Sequence, residues 1–245
     1  MSVLCVIPAR YGSSRLPAKA LIEVKGLPLC MWAYNSACAS GAFADVVVAT
    51  DDDRIMEAVA HHNGKAVRTA ATHVSGTDRV NEVAQQTAYS HVVNLQGDEP
   101  LVPPALLQRV ASACIALDDK SLLTCVTHGT IVDNANPNVV KTVLNAQQEA
   151  LYFSRSAIPY CRDDNAVIMP LVHVGIYAFS RAGLWNFCGL PVGKLEHCEK
   201  LEQLRALEHG MTIRCITSDY RPLGIDTAED LCAFKLRVDK KNAEK

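Results

Sequence analysis

The chain has 245 residues, 24 Lys+Arg against 26 Asp+Glu, and 49% hydrophobic residues with 20% charged. That is enough apolar material for a sizeable core and too little charge for a disordered chain. A formal net charge of -2 gives no support for electrostatic capture of nucleic acid or an anionic membrane.

Strand one is read at Val3–Ile7, and the lack of a basic leader or an A-x-A cleavage site before it points to a cytoplasmic protein. No apolar run reaches the roughly 18–20 residues of a membrane span. Helix follows at Leu29–Ser40, closed by Gly41, then strand Val46–Thr50, and helix Asp52–Asn63, closed by Gly64. Strand Lys65–Arg68, helix Thr77–Thr87, strand Val92–Gln96 and helix Pro103–Leu117 complete a βαβ rhythm, which predicts a parallel sheet. From Leu122 the rhythm changes. Leu122–Val132, Val139–Leu144, Ala150–Phe153 and Val172–Phe179 read as strands with few helices between them, a more antiparallel lobe. One amphipathic helix is read at Leu195–His209, with Gly210 closing it, then strand Thr212–Thr217 and helix Thr227–Val238. The expected class is α/β with a mostly parallel central sheet and a smaller mixed or antiparallel lobe. The whole chain, 1–245, reads as a single domain. Its larger part is about 1–118 plus 212–240, and its smaller lobe is about 119–211.

Ten cysteines are scattered with no C-x-x-C pair and read as free thiols serving as small hydrophobes. Cys125 and His128, in one strand at an odd spacing, would face opposite sides and so make no zinc site.

Ligands of an open parallel sheet collect beyond the carboxyl ends of its strands. The loop after strand one, Pro8 to Lys19, carries Arg10, Arg15 and Lys19 with hydroxyls at Ser13 and Ser14, equipment suited to a polyphosphate. It is not a Walker A loop, and the chain has no G-x-G-x-x-G, which speaks against a dinucleotide oxidoreductase. Gln96-Gly97-Asp98-Glu99-Pro100 leaves another strand end and offers a carboxylate for Mg²⁺. Asp226 is a second candidate ligand; its place before a helix, with Glu229 three residues on, also reads as an N-cap with a capping box.

PARYGSSRLPAK at 8–19, ATDD at 49–52, SGTDR at 75–79, NLQGDEPL at 94–101, NPNVVK at 136–141, ALYFSRSAIPY at 150–160, HVGIYAF at 173–179, LEHCEKLEQLRAL at 195–207 and GIDTAEDL at 224–231 occur in one order. In that order they resemble the 3-deoxy-manno-octulosonate cytidylyltransferase family nearly end to end. The resemblance implies a Rossmann-like nucleotide-diphospho-sugar transferase fold and transfer of CMP from CTP to 3-deoxy-D-manno-octulosonate (Kdo), with pyrophosphate released. It implies Mg²⁺ held by Asp98 and Asp226, a cytoplasmic homodimer, and CTP and Kdo as partners.

Residue by residue, the resemblance implies Pro8, Ala9, Arg10, Ser13, Lys19, Ser75, Arg79, Gln96 and Asp98 around the nucleotide. On the sugar-acid side it implies Arg15, Gln96, Arg155, His173, Tyr177, Glu202 and Gln203. Arg10, Lys19, Asp98 and Asp226 are the residues expected to carry the chemistry, and no general base is evident. Related acid sugars, 8-amino-Kdo or a sialic acid, are alternative acceptors, and a non-catalytic sugar-nucleotide-binding protein is the alternative of another class. One departure stands out. The family has glycine before the lysine and proline after it, where this chain has Ala18-Lys19-Ala20. The expectation is that Ala18 has φ < 0, since a left-handed alanine would cost about 1–2 kcal/mol.

Overall fold

The computed structural model describes residues 2–12, 16–162 and 168–243. β1 (Val3–Pro8) is followed by a 3₁₀ turn at Lys19–Leu21 and a hairpin of β2 (Glu23–Val24) and β3 (Leu27–Pro28). α1 (Leu29–Ser40), β4 (Asp45–Thr50), α2 (Asp53–His61), β5 (Ala66–Arg68), α3 (Gly76–Gln85), β6 (His91–Leu95) and α4 (Pro104–Cys114) come next. The second half holds β7 (Ser121–His128), α5 (Ile131–Ala135), β8 (Lys141–Leu144), β9 (Ala150–Ser154) and β10 (Leu171–Ser180). α6 (Arg181–Gly189), α7 (Lys194–Glu199), α8 (Gln203–Glu208), β11 (Thr212–Thr217) and α9 (Ala228–Ala243) complete the order.

The main sheet runs β11-β7-β10-β6-β1-β4-β5. β1 pairs parallel with β4 and β6, β4 with β5, and β7 with β11. β10 is antiparallel to both of its sheet neighbours. The sheet is therefore mostly parallel, and the β8–β9 hairpin, attached to the start of β10, forms a small antiparallel lobe. β7 and β10, which the sequence places in the smaller lobe, lie in the middle of the same sheet. β8 and β9 belong to this nine-stranded sheet but lie off its path. Strand order is set by long-range pairing and leaves no local trace.

The central strands are apolar on both faces because helices cover both. Cys5, Ile7, Val46, Val48, Val93 and Leu95 pack against α1, α2 and α4. Leu4, Val6, Val47, Ala49 and Val92 turn the other way, onto α3, α6 and α8. A third cluster seats Phe234 and Val238 of α9 on Val24 and Leu29, with Phe234 meeting Trp32 edge-on at 5.3 Å. This docking returns the chain end to the loop after β1, which is what places Asp226 beside Lys19.

Four local expectations need correction. The strand read to Val132 ends at His128, because Thr130 and Asp133 form a capping box that starts α5. The helix read at Leu195–His209 breaks at Lys200, which is left-handed at φ 53°. α2 is closed by Asn63 at φ 57°, not by Gly64. Gly64 is needed for space, since a Cβ there would lie 2.8 Å from Val59 Cγ1. And α9 extends to Ala243, beyond the Val238 read from the sequence.

All ten cysteines are free; five are buried, Cys5, Cys30, Cys114, Cys125 and Cys215. Cys125 is buried and His128 exposed, on opposite faces of β7. Among the described residues no helix is long and apolar enough to cross a membrane.

Candidate active site

The parallel register Val6↔Asn94 brings the carboxyl ends of β1 and β6 side by side. Three segments meet there: Pro8–Arg10, Gln96–Asp98 and the start of α3 at Ser75–Gly76. They enclose a cleft of about 350 Å³ that is also lined by Lys19, Arg79 and Asp226. Glycine permits the approach. A Cβ on Gly76 would lie 3.2 Å from Pro8 Cγ, and one on Gly97 would lie 3.4 Å from the Pro8 carbonyl oxygen. Ser75 caps α3, its Oγ accepting from Asp78 N while Asp78 answers at Ser75 N. The first turn of α3 therefore faces the cleft with its positive dipole end, where an anionic group is favoured.

Lys19 Nζ donates to Asp98 Oδ2 and to Asp226 Oδ1, each at 3.0 Å. Burial by itself would lower the lysine pKa, but the two carboxylates outweigh it and hold the ammonium above its ordinary value. Two carboxylates thus converge on a single cationic atom. Among the described residues no group of three or more His, Cys, Asp or Glu is gathered to hold a metal.

The cap expected at Asp226 belongs to Thr227, whose Oγ1 accepts from Asp230 N while Asp230 Oδ2 accepts from Thr227 N at 2.9 Å. The capping box is one residue later than read, with Asp230 in place of Glu229. This leaves the Asp226 carboxylate to face Lys19. Its segment is fixed to the opposite loop by Ile225 N donating to Asp98 O at 3.1 Å. Buried Glu99 adds a clasp, accepting from Tyr220 OH at 2.8 Å. Burial, reinforced by Asp98, pushes the Glu99 carboxyl up to about 7.

Ala18 overturns its expectation: it is left-handed, at φ 52° and ψ 31°. Ala18 leads directly into the turn that delivers Lys19, which is closed by Leu21 N donating to Ala18 O at 2.8 Å. Alanine carries the strain that glycine would avoid, and Lys19 still reaches both aspartates.

A buried polar chain leads away from the carboxylates. Gln96 Nε2 donates to Asn94 Oδ1 (2.9 Å), Asn94 Nδ2 to Thr77 Oγ1 (3.1 Å), and Thr77 Oγ1 to Glu202 Oε2 (2.6 Å). Beside it Tyr177 OH donates to Gln203 Oε1 at 3.1 Å. His173 lies against Tyr177, ring centroids 5.4 Å apart, and burial pushes its pKa down to about 4. Glu202 Oε1 and Gln203 Nε2 are buried without a hydrogen-bond partner. Unsatisfied atoms of this kind cost about 1–3 kcal/mol each unless a ligand meets them. Burial also raises the Glu202 pKa. The sequence reads these two residues as helix face; the break at Lys200 instead turns them inward.

Of the residues singled out in the sequence, Pro8, Ala9, Arg10, Lys19, Ser75, Arg79, Gln96, Asp98 and Asp226 line the cleft together. Arg10 is exposed at its mouth. Arg79 is buried and held by Thr69 and by Asp51, the latter at 3.0 Å, so it is first a strut between α3 and the end of β4. His173, Tyr177, Glu202 and Gln203 form the second group. Arg155 joins neither through its guanidinium, which donates to the carbonyls of Glu199 (2.8 Å), Pro137 (3.1 Å) and Lys200 (3.5 Å). Ser13 and Arg15 lie outside the described residues. Sequence reasoning missed Thr77, Asn94, Glu99, Thr124 and Tyr220. Asn94 and Thr124 had a readable signal, each a polar residue inside a buried apolar strand.

Comparison with known proteins fits this arrangement. A family model described as cytidylyltransferase matches residues 4–213. A 3-deoxy-manno-octulosonate cytidylyltransferase of Vibrio parahaemolyticus serotype O3:K6 is 43% identical, over 98% of this chain and 100% of that protein. An 8-amino-3,8-dideoxy-manno-octulosonate cytidylyltransferase of Shewanella halifaxensis is 41% identical, also over 98% and 100%. A solved structure of CMP:2-keto-3-deoxy-manno-octonic acid synthetase complexed with CTP superposes with a TM-score of 0.93, at 39% identity over 98% of this chain and 100% of that one. With its fold and nearly its whole length in common with these proteins, the chain belongs to the cytidylyltransferase family.

Proposed function

We propose that the chain transfers CMP from CTP to the anomeric hydroxyl of Kdo, releasing pyrophosphate and activating the sugar acid for lipopolysaccharide synthesis. The observation that carries this reading is the continuity of the two halves of the site. Gln96, two residues before Asp98, begins a hydrogen-bonded chain through Asn94 and Thr77 to Glu202, whose Oε1, like the neighbouring Gln203 Nε2, has no partner. One end suits phosphates and the other a polyhydroxylated acid.

The hydroxyl oxygen forms a new bond to the α-phosphorus as the bond to pyrophosphate breaks, and the hydroxyl proton passes to water. Little covalent work falls to the protein, whose task is positioning and charge neutralisation. Arg10 at the mouth and Lys19 within offset negative charge on the triphosphate. The first-turn amides of α3 face the same anion. Tyr177, whose hydroxyl burial keeps protonated, holds Gln203 in place as a donor toward the sugar. His173, neutral at pH 7, is a hydrogen-bonding group and carries no charge to the acid.

Two carboxylates with room for phosphate oxygens and water fit Mg²⁺, and Asp98 and Asp226 would hold it. When bound, the ion supplies Lewis-acid neutralisation of phosphate charge. Because every described guanidinium contact of Arg155 is to a backbone carbonyl, its part on the sugar side is to fix the segment after β9 against α7.

A homodimer is supported by apolar side chains exposed near the small lobe: Leu151 (60%), Tyr160 (89%) and Ile168 (58%). A cytoplasmic setting is supported by ten unpaired thiols. The near-equal identity to the 8-amino-sugar enzyme favours one second reading, that the acceptor is 8-amino-Kdo.

The test is pyrophosphate release with CTP and Mg²⁺, offering Kdo, 8-amino-Kdo and a sialic acid in parallel. Release with Kdo, abolished by EDTA and by UTP in place of CTP, is expected. Release with 8-amino-Kdo alone selects the second reading. Silence with all three, from folded protein that binds CTP, would overturn both.

A further inference from the structure

β10 does not pair regularly with β7. Val174 faces Cys125 but Tyr177 faces Thr124, so Gly175 and Ile176 bulge from the ladder. Bulges of this kind re-aim side chains beside functional sites and leave backbone groups in need of partners. Here Thr124 supplies the partner. Its hydroxyl lies 2.8 Å from Ile176 O and 3.3 Å from Val174 O, the carbonyls flanking the bulge. The same oxygen lies 2.9 Å from His173 Nε2. Gly175, at the bulge, packs against Gln96, which a Cβ would meet at 3.6 Å. One buried hydroxyl thus ties together the backbone between His173 and Tyr177.

Three hydrogen-bonding groups surround this one hydroxyl, so the place of its hydrogen and the tautomer of His173 are linked. A threonine hydroxyl has one hydrogen, and a carbonyl can only accept. Two of the three neighbours are carbonyls that need a donor, and the shortest contact, to Ile176 O, takes the hydrogen; toward His173 the oxygen then accepts and Nε2 bears the proton. The neutral ring then keeps a bare lone pair on Nδ1, which no described residue fills. Phe153, edge-on at 5.3 Å, and Tyr177 hold the ring plane. Burial keeps the ring neutral, with its pKa at about 4.

We infer that Thr124 is a positioning residue of the acceptor site: it fixes His173 as the Nε2–H tautomer, so that Nδ1 accepts a hydrogen bond from a hydroxyl of the bound sugar acid. This rests on the function proposed above. It assigns His173 the part of a selective acceptor for a donor group and excludes it as a cationic partner for the substrate carboxylate.

The test compares wild type with Thr124→Val, which keeps the shape and loses the hydroxyl, and Thr124→Ser, which keeps the hydroxyl. Long-range ¹H–¹⁵N spectra of ligand-free protein, with His173 assigned by its loss in His173→Gln, should show the Nε2–H tautomer in wild type and in Thr124→Ser. Thr124→Val should lose that preference. In turnover, Thr124→Val should raise KM for the sugar acid by about tenfold, the loss of roughly one hydrogen bond, with KM for CTP changed less than about twofold. Thr124→Ser should recover most of it. A wild-type Nδ1–H tautomer would overturn the inference, as would equal changes in both KM values or no recovery by serine. Should no sugar acid turn over in wild type, the functional reading fails, and with it the substrate role of Nδ1, while the spectrum still decides whether Thr124 sets the tautomer.

Discussion

Lys19 has two parts that pull in opposite directions, and Lys19→Met separates them. In the ligand-free protein its ammonium bonds Asp98 and Asp226 at 3.0 Å each, the two carboxylates proposed above to hold a divalent cation. An unscreened estimate at a dielectric of 20 gives about 5 kcal/mol per contact. The aspartate side chains are 30% and 39% exposed, so solvent screening reduces this to roughly 0.5–1 kcal/mol each. A metal that must displace the ammonium loses about 1–2 kcal/mol of apparent affinity, or about 5–30-fold. Lys19→Met should therefore tighten Mn²⁺ binding to nucleotide-free protein by about tenfold, read by titration calorimetry or by the free Mn²⁺ resonance. The same variant should turn over more slowly, because the triphosphate loses a cation. Asp98→Asn should weaken both metal binding and turnover. If Lys19→Met binds Mn²⁺ no more tightly than wild type, the ammonium does not stand in for a metal, and the convergence of the two carboxylates has another reason.

His173 links the site to stability. Its folded pKa of about 4 lies below the ordinary 6.5, so the unfolded chain binds more protons between these values, and stability rises with pH through that window. Integrated from pH 5 to 7, the gain is about 2 kcal/mol; urea unfolding at both pH values should show it in wild type and not in His173→Gln, and equal pH dependence in the two would refute it. Ala18→Gly should relieve about 1–2 kcal/mol of left-handed strain and lose about 0.4–1 kcal/mol to the greater freedom of the unfolded glycine. The net is a Tm higher by about 1–3 °C in a chain of this length, and a lower Tm would show that Ala18 is unstrained.

The legible and the illegible parts of this chain divide by range. Apolar runs such as Val46–Ala49 and Val92–Val93 are local, and they gave the buried strands to within a residue or two. β7 and β10 take their places beside β11 and β6 through pairings between segments more than 80 residues apart in sequence, which no local pattern reports. The helix at Leu195–His209 failed for a subtler reason. Periodicity continues across Lys200, but the left-handed turn there costs the helix, buries Gln203 and half-buries Glu202. A strained lysine and two side chains each with a buried, unpartnered polar atom are the sort of local inconsistency that a binding site imposes on a fold. The cap at Thr227 makes the same point one residue at a time: a capping box shifted from 226–229 to 227–230 converts Asp226 from a helix start into an acid of the cleft. In both cases the residues were visible and their direction was not. Buried polar residues in apolar strands can be sought from sequence alone. Asn94 within His91–Leu95 and Thr124 within Ser121–His128 are such residues, and both serve to hold other side chains of the site. A hydroxyl or amide amid a fully buried strand costs stability unless partnered, so the sequence pattern by itself argues that each of these residues has a fixed partner.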